Sequence, residues 1–162
     1  MRHEHLRRLP RIWVSSPVFF VTTCVLGRRR ILDCPPAFEI IRTELATARQ
    51  RHGWHVGPFV VMPDHLHFLC TAEADKPAKR LSEFVGRFKE WSAKRLAREA
   101  ALPAPVWQRE FFDHLLRSNE AYEEKAHYLL MNPVRAGLVS SAADWPYQGD
   151  LSQQAAPPLS TT

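Results

Sequence analysis

Hydrophobic positions along the chain follow two rhythms, and the change from one to the other predicts the order of elements. Val18-Phe19-Phe20-Val21-Thr22-Thr23-Cys24-Val25-Leu26 is dense in β-branched and aromatic residues and predicts a buried strand ended by Gly27. Pro35-Pro36 opens a helix whose apolar positions Phe38, Ile41, Leu45 and Ala48 share one face, and Gly53 stops it. Trp54 to Met62 returns to the strand rhythm, with Gly57-Pro58 marking a bulge or an edge. Met62-Pro63-Asp64 turns the chain into His65-Leu66-His67-Phe68-Leu69-Cys70, so these two runs form a hairpin. Pro77 begins a long helix, with Leu81, Phe84, Val85, Phe88 and Trp91 on one face. After the stiff stretch Leu102-Pro103-Ala104-Pro105, Val106 to His114 predicts a fourth strand. Ser118 or Asn119 caps a last helix that runs to about Met131, where Asn132-Pro133 ends it and Val134 to Val139 packs back.

Strand, helix, strand, strand, helix, strand is the split βαβ, ferredoxin-like order. The expected fold is therefore an α+β sandwich with an antiparallel sheet and the histidine strand central. Two crossover helices cover one face, and the other face is open for a site and for the C-terminal helix that carries Tyr128. This domain is expected over residues 13–148. Residues 1–12 form a basic arm with Arg2, Arg7, Arg8 and Arg11, either a solvated terminus or a DNA contact. Residues 149–162 turn to Gln, Ser, Pro and Thr, which predicts a disordered tail.

Composition narrows the partners more than the fold. A chain of 162 residues, 45% hydrophobic and 24% charged, suits one soluble domain with a real core. A formal net charge of +5 and a pI of about 9.4 favour a polyanion, nucleic acid first. Cys24, Cys34 and Cys70 are odd in number and widely spaced with no C-x-x-C, which indicates neither a zinc ribbon nor a disulfide framework and fits a reducing, cytoplasmic setting. No signal core and no membrane-spanning run is present. Arg28-Arg29-Arg30 crowd three charges at a strand end, as a phosphate backbone would favour. The second face of the long helix carries Arg87 and Lys89 among other cations. It is either a solvated face or part of a shared DNA surface.

The chemistry concentrates in two places. Side chains two apart on a strand point the same way, so His65 and His67 share one face while Leu66, Phe68 and Cys70 enter the core. The pair is either half of a metal site or two satisfied histidines. On the last helix Tyr128 and Asn132 stand one turn apart on the same side, away from the expected buried stripe of Tyr122, Ala126, Leu129 and Leu130. Tyr128 is either packing or chemistry.

Pro63-Asp64-His65-Leu66-His67 resembles the H-U-H motif, U being a bulky hydrophobe, of the single-tyrosine HUH transposases, the insertion-sequence-200-like family. Tyr128-Leu129-Leu130-Met131-Asn132-Pro133-Val134-Arg135-Ala136-Gly137-Leu138-Val139 resembles the tyrosine helix of that family's REP-associated branch. Trp107-Gln108, Phe111-Phe112, Asp113-His114 and Arg117 fall where the branch has its strand-to-helix signature. The likeness extends over about residues 13 to 148. It implies Tyr128 as nucleophile, His65, His67 and Asn132 as ligands of a divalent metal, Mg²⁺ or Mn²⁺, and no other cofactor. It implies single-stranded or hairpin DNA as partner, in a bacterial cytoplasm close to the nucleoid, and the charges of Arg28, Arg29, Arg30, Arg87, Lys89 and Arg117 are the expected grip on its backbone. It leaves monomer or homodimer open. The implied reaction is nicking and rejoining of DNA through a 5′-phosphotyrosine. Two rivals remain: a binder of structured nucleic acid without turnover, and a metal-dependent nuclease that uses water. Asp64 departs from the asparagine common before the first histidine.

Overall fold

The computed structural model describes residues 13, 16–75 and 77–153. Its elements are β1 Val18–Cys24, α1 Pro35–Ala46, α2 Ala48–His52, β2 Trp54–Val61, β3 His65–Ala72, α3 Leu81–Glu99, β4 Phe112–Leu116, α4 Asn119–Leu130, α5 Asn132–Arg135 and β5 Gln148–Asp150. The strands form one sheet in the order β4-β1-β3-β2-β5, every neighbouring pair antiparallel. This is the expected ferredoxin-like arrangement with β3 in the middle, extended by β5 outside β2.

The two-residue period of the strands sorts side chains onto two faces. Val21, Phe59, Leu66, Phe68 and Cys70 join Ile41, Leu45, Phe84 and Phe88 in one core beneath α1 and α3. Each fully buried large side chain there contributes about 1.5–3 kcal/mol relative to exposure. Val18, Phe20, Val60 and Leu69 point the other way and pack against Trp13, Tyr122, Leu129 and Trp145. That second cluster is smaller and seats α4. The face beside it, where β3 begins, is left to polar residues.

Local chemistry explains most boundaries. Gly53 adopts φ 75° and ends α2, a left-handed cap that glycine takes without steric cost. The β2 register shifts between Val56 and Phe59, so Gly57-Pro58 marks a bulge. The Ser118 hydroxyl accepts the Ala121 N–H at 3.1 Å and caps α4.

Four expectations are corrected. Residues 77–80 are not helical, and α3 starts at Leu81. Its buried stripe continues from Phe88 through Ser92 and Leu96, which leaves Trp91 exposed. Ser92 earns its burial by accepting the Trp107 indole N–H at 2.9 Å. Val106 and Trp107 do not lie in β4. They cross the end of β1, where Val106 O accepts Leu26 N–H and Gln108 N–H reaches Cys24 O, both at 2.8 Å, and the chain enters the sheet edge at Phe112. The ordered chain also runs past 148, because β5 pairs with β2 and Leu151 N–H donates to Gly57 O. Gly149 is needed there, since a Cβ would fall 2.6 Å from the Phe59 ring. The basic arm at 1–12 and the tail from 154 lie outside the described residues.

Candidate active site on the open face of the sheet

His65 and His67 project from the first residues of β3 on the face opposite the α1–α3 core. The antiparallel register sets Thr22 opposite His67 and Cys24 opposite His65, and Val60 flanks His67 from β2. The turn before them is fixed from outside: Val25 N–H donates to Asp64 O at 2.9 Å, and Ile31 and Leu32 N–H groups donate to Pro63 O.

Each imidazole is committed at Nδ1. Asp64 Oδ1 lies 2.7 Å from His65 Nδ1, and since a carboxylate only accepts, Nδ1 carries the proton. The other Asp64 oxygen accepts from Arg28 Nε at 2.9 Å. The Thr22 hydroxyl shares a 2.7 Å hydrogen bond with His67 Nδ1. A hydroxyl can accept as well as donate, so this bond suits the same tautomer. The Nε2 atoms are thus left for another partner. The rings stand 4.6 Å apart at 77°. Carboxylate or hydroxyl support behind a ligating histidine is the usual second-layer arrangement at metal sites.

The electrostatics agree. Burial pushes His67 down to about 3, with the charges of His65, Arg135 and Arg28 adding in the same direction. Burial also lowers His65, against the opposing hydrogen bond and charge of Asp64. Both rings are therefore neutral near neutral pH, the form that ligates metal. Burial alone would raise Asp64, but its bonds from His65 and Arg28 outweigh that and hold it below the usual carboxylate range.

The other half of the site comes from α4 and α5. Leu129 is fully buried, which turns its neighbour Tyr128 outward to 44% exposure. Tyr122 lies in the core, as its place on the buried stripe predicts. The Phe20 ring connects the halves, with its centroid 5.1 Å from His67 and 6.2 Å from Tyr128. The helix breaks at Met131 and resumes as α5, so Asn132 begins a new turn rather than ending the chain's helical course. Asn132 Nδ2 is buried without a hydrogen-bond partner. Among the described residues no three His, Cys, Asp or Glu side chains converge to hold a metal. A third protein donor would have to be of another type, and the amide of Asn132 has the right chemistry.

The cations expected to grip DNA divide. Arg28 is engaged by Asp64 beside His65. Arg29 donates to the carbonyls of Leu26, Pro103 and Pro105 and holds the chain ahead of β4. Arg30 and Arg117 are exposed. Arg87 and Lys89 lie on α3, in the layer across the sheet from the histidines. There Arg87 pairs with Glu90, and Lys89 donates to the carbonyls of Arg109 and Glu110. The expected single DNA surface is therefore not assembled. A cavity of about 490 Å³ between α3 and residues 104–109 is also on that far side.

Three side chains at the site were not expected from sequence. Thr22 meets His67 only through strand register. Arg135 lays its guanidinium 3.9 Å from the Tyr128 ring centroid and donates to Tyr128 O at 2.6 Å. Lys125 places Nζ 5.2 Å from the same ring and 5.5 Å from Phe20. Helical spacing from Tyr128 could have found the last two.

Comparison with known proteins follows this geometry closely. A REP-associated tyrosine transposase of Escherichia coli K12 is 25% identical over 138 residues, which cover 85% of this chain and 78% of that one. A Haemophilus influenzae relative is 31% identical over 94 residues, about half of each chain. A solved structure titled as the REP-associated tyrosine transposase bound to a REP hairpin superposes with a TM-score of 0.64. It has 23% identity over 91% of this chain and 82% of that one, and it shows the shared fold. No helix among the described residues is long and apolar enough to cross a membrane. The family model described as "Transposase IS200 like" matches residues 18–126, which include His65 and His67 and stop two residues before Tyr128. The chain belongs to the IS200-like transposases, a family of DNA-cleaving enzymes.

Proposed function

We propose that the protein nicks and rejoins single-stranded DNA through Tyr128, with a divalent metal held by His65, His67 and Asn132. The observation that carries this is the histidine pair itself. Both rings are neutral, both are committed at Nδ1, and both leave Nε2 free on a face shared with an outward tyrosine. Asn132, one turn after Tyr128, offers its amide Oδ1 as the third donor. A bound Mg²⁺ or Mn²⁺ would polarise the scissile phosphate and steady its leaving oxygen.

A phenol is a weak nucleophile while it keeps its proton, so the protein's part is placement. Tyr128 Oη bonds to phosphorus, the bond from phosphorus to the 3′ oxygen breaks, the phenolic proton passes to solvent, and the departing 3′ oxygen takes a proton from solvent. The products are a 5′-phosphotyrosine and a 3′-hydroxyl. Because the ester bond energy is retained, a DNA 3′-hydroxyl can reverse the step onto a new partner. The likeness to a neighbour bound to a REP hairpin supports hairpin-containing DNA as the substrate. A flexible flank presents the in-line geometry that a stacked duplex resists.

The test is a denaturing gel after incubation with labelled hairpins bearing single-stranded flanks and Mg²⁺ or Mn²⁺. A covalent protein–DNA band is expected, and Tyr128→Phe should lose it while still binding DNA. Free 5′-phosphate ends that persist in Tyr128→Phe would make the protein a water-using nuclease. Binding without any cleavage would make it a binder.

A further inference from the structure

The mechanism so far leaves two cations at Tyr128 unexplained. Arg135 rests its guanidinium plane 3.9 Å from the ring centroid and spends one N–H on Tyr128 O. Lys125 stands 5.2 Å from the same centroid. Tyr128, Asn132 and Arg135 are spaced four and then three residues apart. Their spacing follows one stripe across the break at Met131.

Many surface charges elsewhere are neutralised, although Arg30, Arg80, Arg109 and Arg117 join no ion pair among the described residues. Arg42, Arg49, Arg51, Arg87, Arg95 and Arg98 each sit within 4.0 Å of a carboxylate. Among the described residues neither Lys125 nor Arg135 forms such a pair. Arg135 is also close enough for its charge to act on His67. It therefore touches the expected nucleophile and acts on His67 through its charge, with most of its N–H fork unspent. A guanidinium stacked on a ring is oriented without being neutralised, and its free edge matches two oxygens of a phosphate.

We infer that Arg135, seconded by Lys125, holds the scissile phosphate over Tyr128. The inference rests on Tyr128 being the nucleophile. The stack fixes the phenol ring, and the free N–H groups take a non-bridging phosphate oxygen whose charge grows as the new P–O bond forms. Lys125 adds an unneutralised charge at the ring's edge, where the flanking DNA backbone would pass. The groups do not exchange a proton with the substrate. They act through position and charge, and planar geometry makes Arg135 the stronger of the two.

Single-turnover formation of the covalent adduct on a labelled hairpin with a single-stranded flank tests this, beside equilibrium binding to the same DNA. Arg135→Ala should slow adduct formation about 10²-fold, as loss of one preorganised donor does. Its DNA affinity should fall no more than about threefold, the size of one lost backbone contact. Arg135→Lys should keep the charge but regain only part of the rate. Methylguanidinium added to Arg135→Ala at matched ionic strength should restore rate, which a folding defect would not allow. Lys125→Gln should give a smaller loss, about tenfold or less by the same reasoning. Wild-type adduct rates in Arg135→Ala would overturn this inference alone. A defect in Arg135→Ala that methylguanidinium leaves untouched, with lowered thermal stability, would make the residue a structural prop. Absence of an adduct from the unaltered protein would overturn the tyrosine assignment with it.

Discussion

The two faces of the sheet are built from alternate residues of the same strands, yet they obey different rules. Under α1 and α3, side chains are mainly apolar and interlocked, with Thr23 Oγ1 and His52 Nδ1 the buried polar atoms that lack a partner among the described residues, and many of the charges above them pair with carboxylates or carbonyls. Under α4 and α5, His65, His67, Thr22 and Asn132 intrude, one amide group goes without a partner, and two cations lean on rings instead of acids. The first face holds the fold together. The second is incomplete in its polar pairing, and the proposed function assigns its free groups to a divalent cation and a phosphate. A sheet can carry that imbalance because the complete face supplies most of the buried apolar area.

The sharpest way to break this comparison uses adjacent residues. Phe68 is fully buried on the complete face and His67 is its neighbour on the incomplete one. Phe68→Ala should destabilise the fold by about 3–5 kcal/mol through lost transfer energy and a cavity. His67→Ala should cost about 1 kcal/mol, the scale of one lost hydrogen bond, while removing the divalent-ion dependence of cleavage. His65→Ala should do the same. Urea melts with cleavage assays on the same samples measure both. If His67→Ala unfolds as readily as Phe68→Ala, or if it cleaves normally with metal present, the histidines belong to the structure and not to the chemistry.

Acid should expose the same asymmetry. His67 is held neutral down to about 3 in the fold, chiefly by burial, whereas an unfolded histidine titrates near 6.5. Between those values the unfolded chain binds a proton that the folded chain refuses. Stability is therefore intact above pH 6.5 and falls as pH drops through this window. From pH 6.5 to 5 His67 alone should cost about 2 kcal/mol. His65, lowered by burial, works in the same direction. Asp64, held down by His65 and Arg28 against its burial, adds a loss only at lower pH, as it too becomes protonated. His67→Gln should flatten the decline between pH 6.5 and 5. An unchanged slope in that variant would assign the acid sensitivity to other groups.

The complete face was the more legible in sequence, for a physical reason. Its signal is periodicity, and periodicity is local: the alternation in β3 and the spacing of Phe84, Val85 and Phe88 each mark their own element. Even there the pattern misled where a polar side chain found a buried partner, as Ser92 did with Trp107, and so displaced Trp91 to the surface. The strand expected at Val106 to His114 failed similarly. Trp107 is buried by α3 and by the end of β1, which it meets in a single bridge to Val25, and the paired strand starts only at the exposed Phe112. On the incomplete face, His65 and His67 were visible because two residues on one strand suffice. Thr22 was not, since nothing near it in sequence announces the register that brings it to His67. Asp64 became interpretable only when its two oxygens were seen to divide between His65 and Arg28.

The smallest effect expected concerns where DNA runs. The sequence left open whether the α3 cations share a surface with Arg28, Arg29 and Arg30, and the structure places Arg87 and Lys89 across the sheet from the histidines. Replacing Arg28, Arg29 and Arg30 together would confound binding with folding, because Arg28 braces Asp64 and Arg29 pins residues 103 and 105. Arg30 is the clean probe: it is exposed and lies close in sequence to the site. Arg87 is the matching control, exposed on α3 and paired with Glu90 across the sheet. If backbone phosphates follow the incomplete face, Arg30→Ala should weaken binding to all hairpins alike. It should also reduce the slope of log affinity against log salt by about one unit or slightly less. Arg87→Ala should leave both unchanged. A salt titration of each variant on one hairpin with a single-stranded flank decides it. A reduced slope for Arg87→Ala beside an unchanged one for Arg30→Ala would move the DNA to the helical face, far from the histidines.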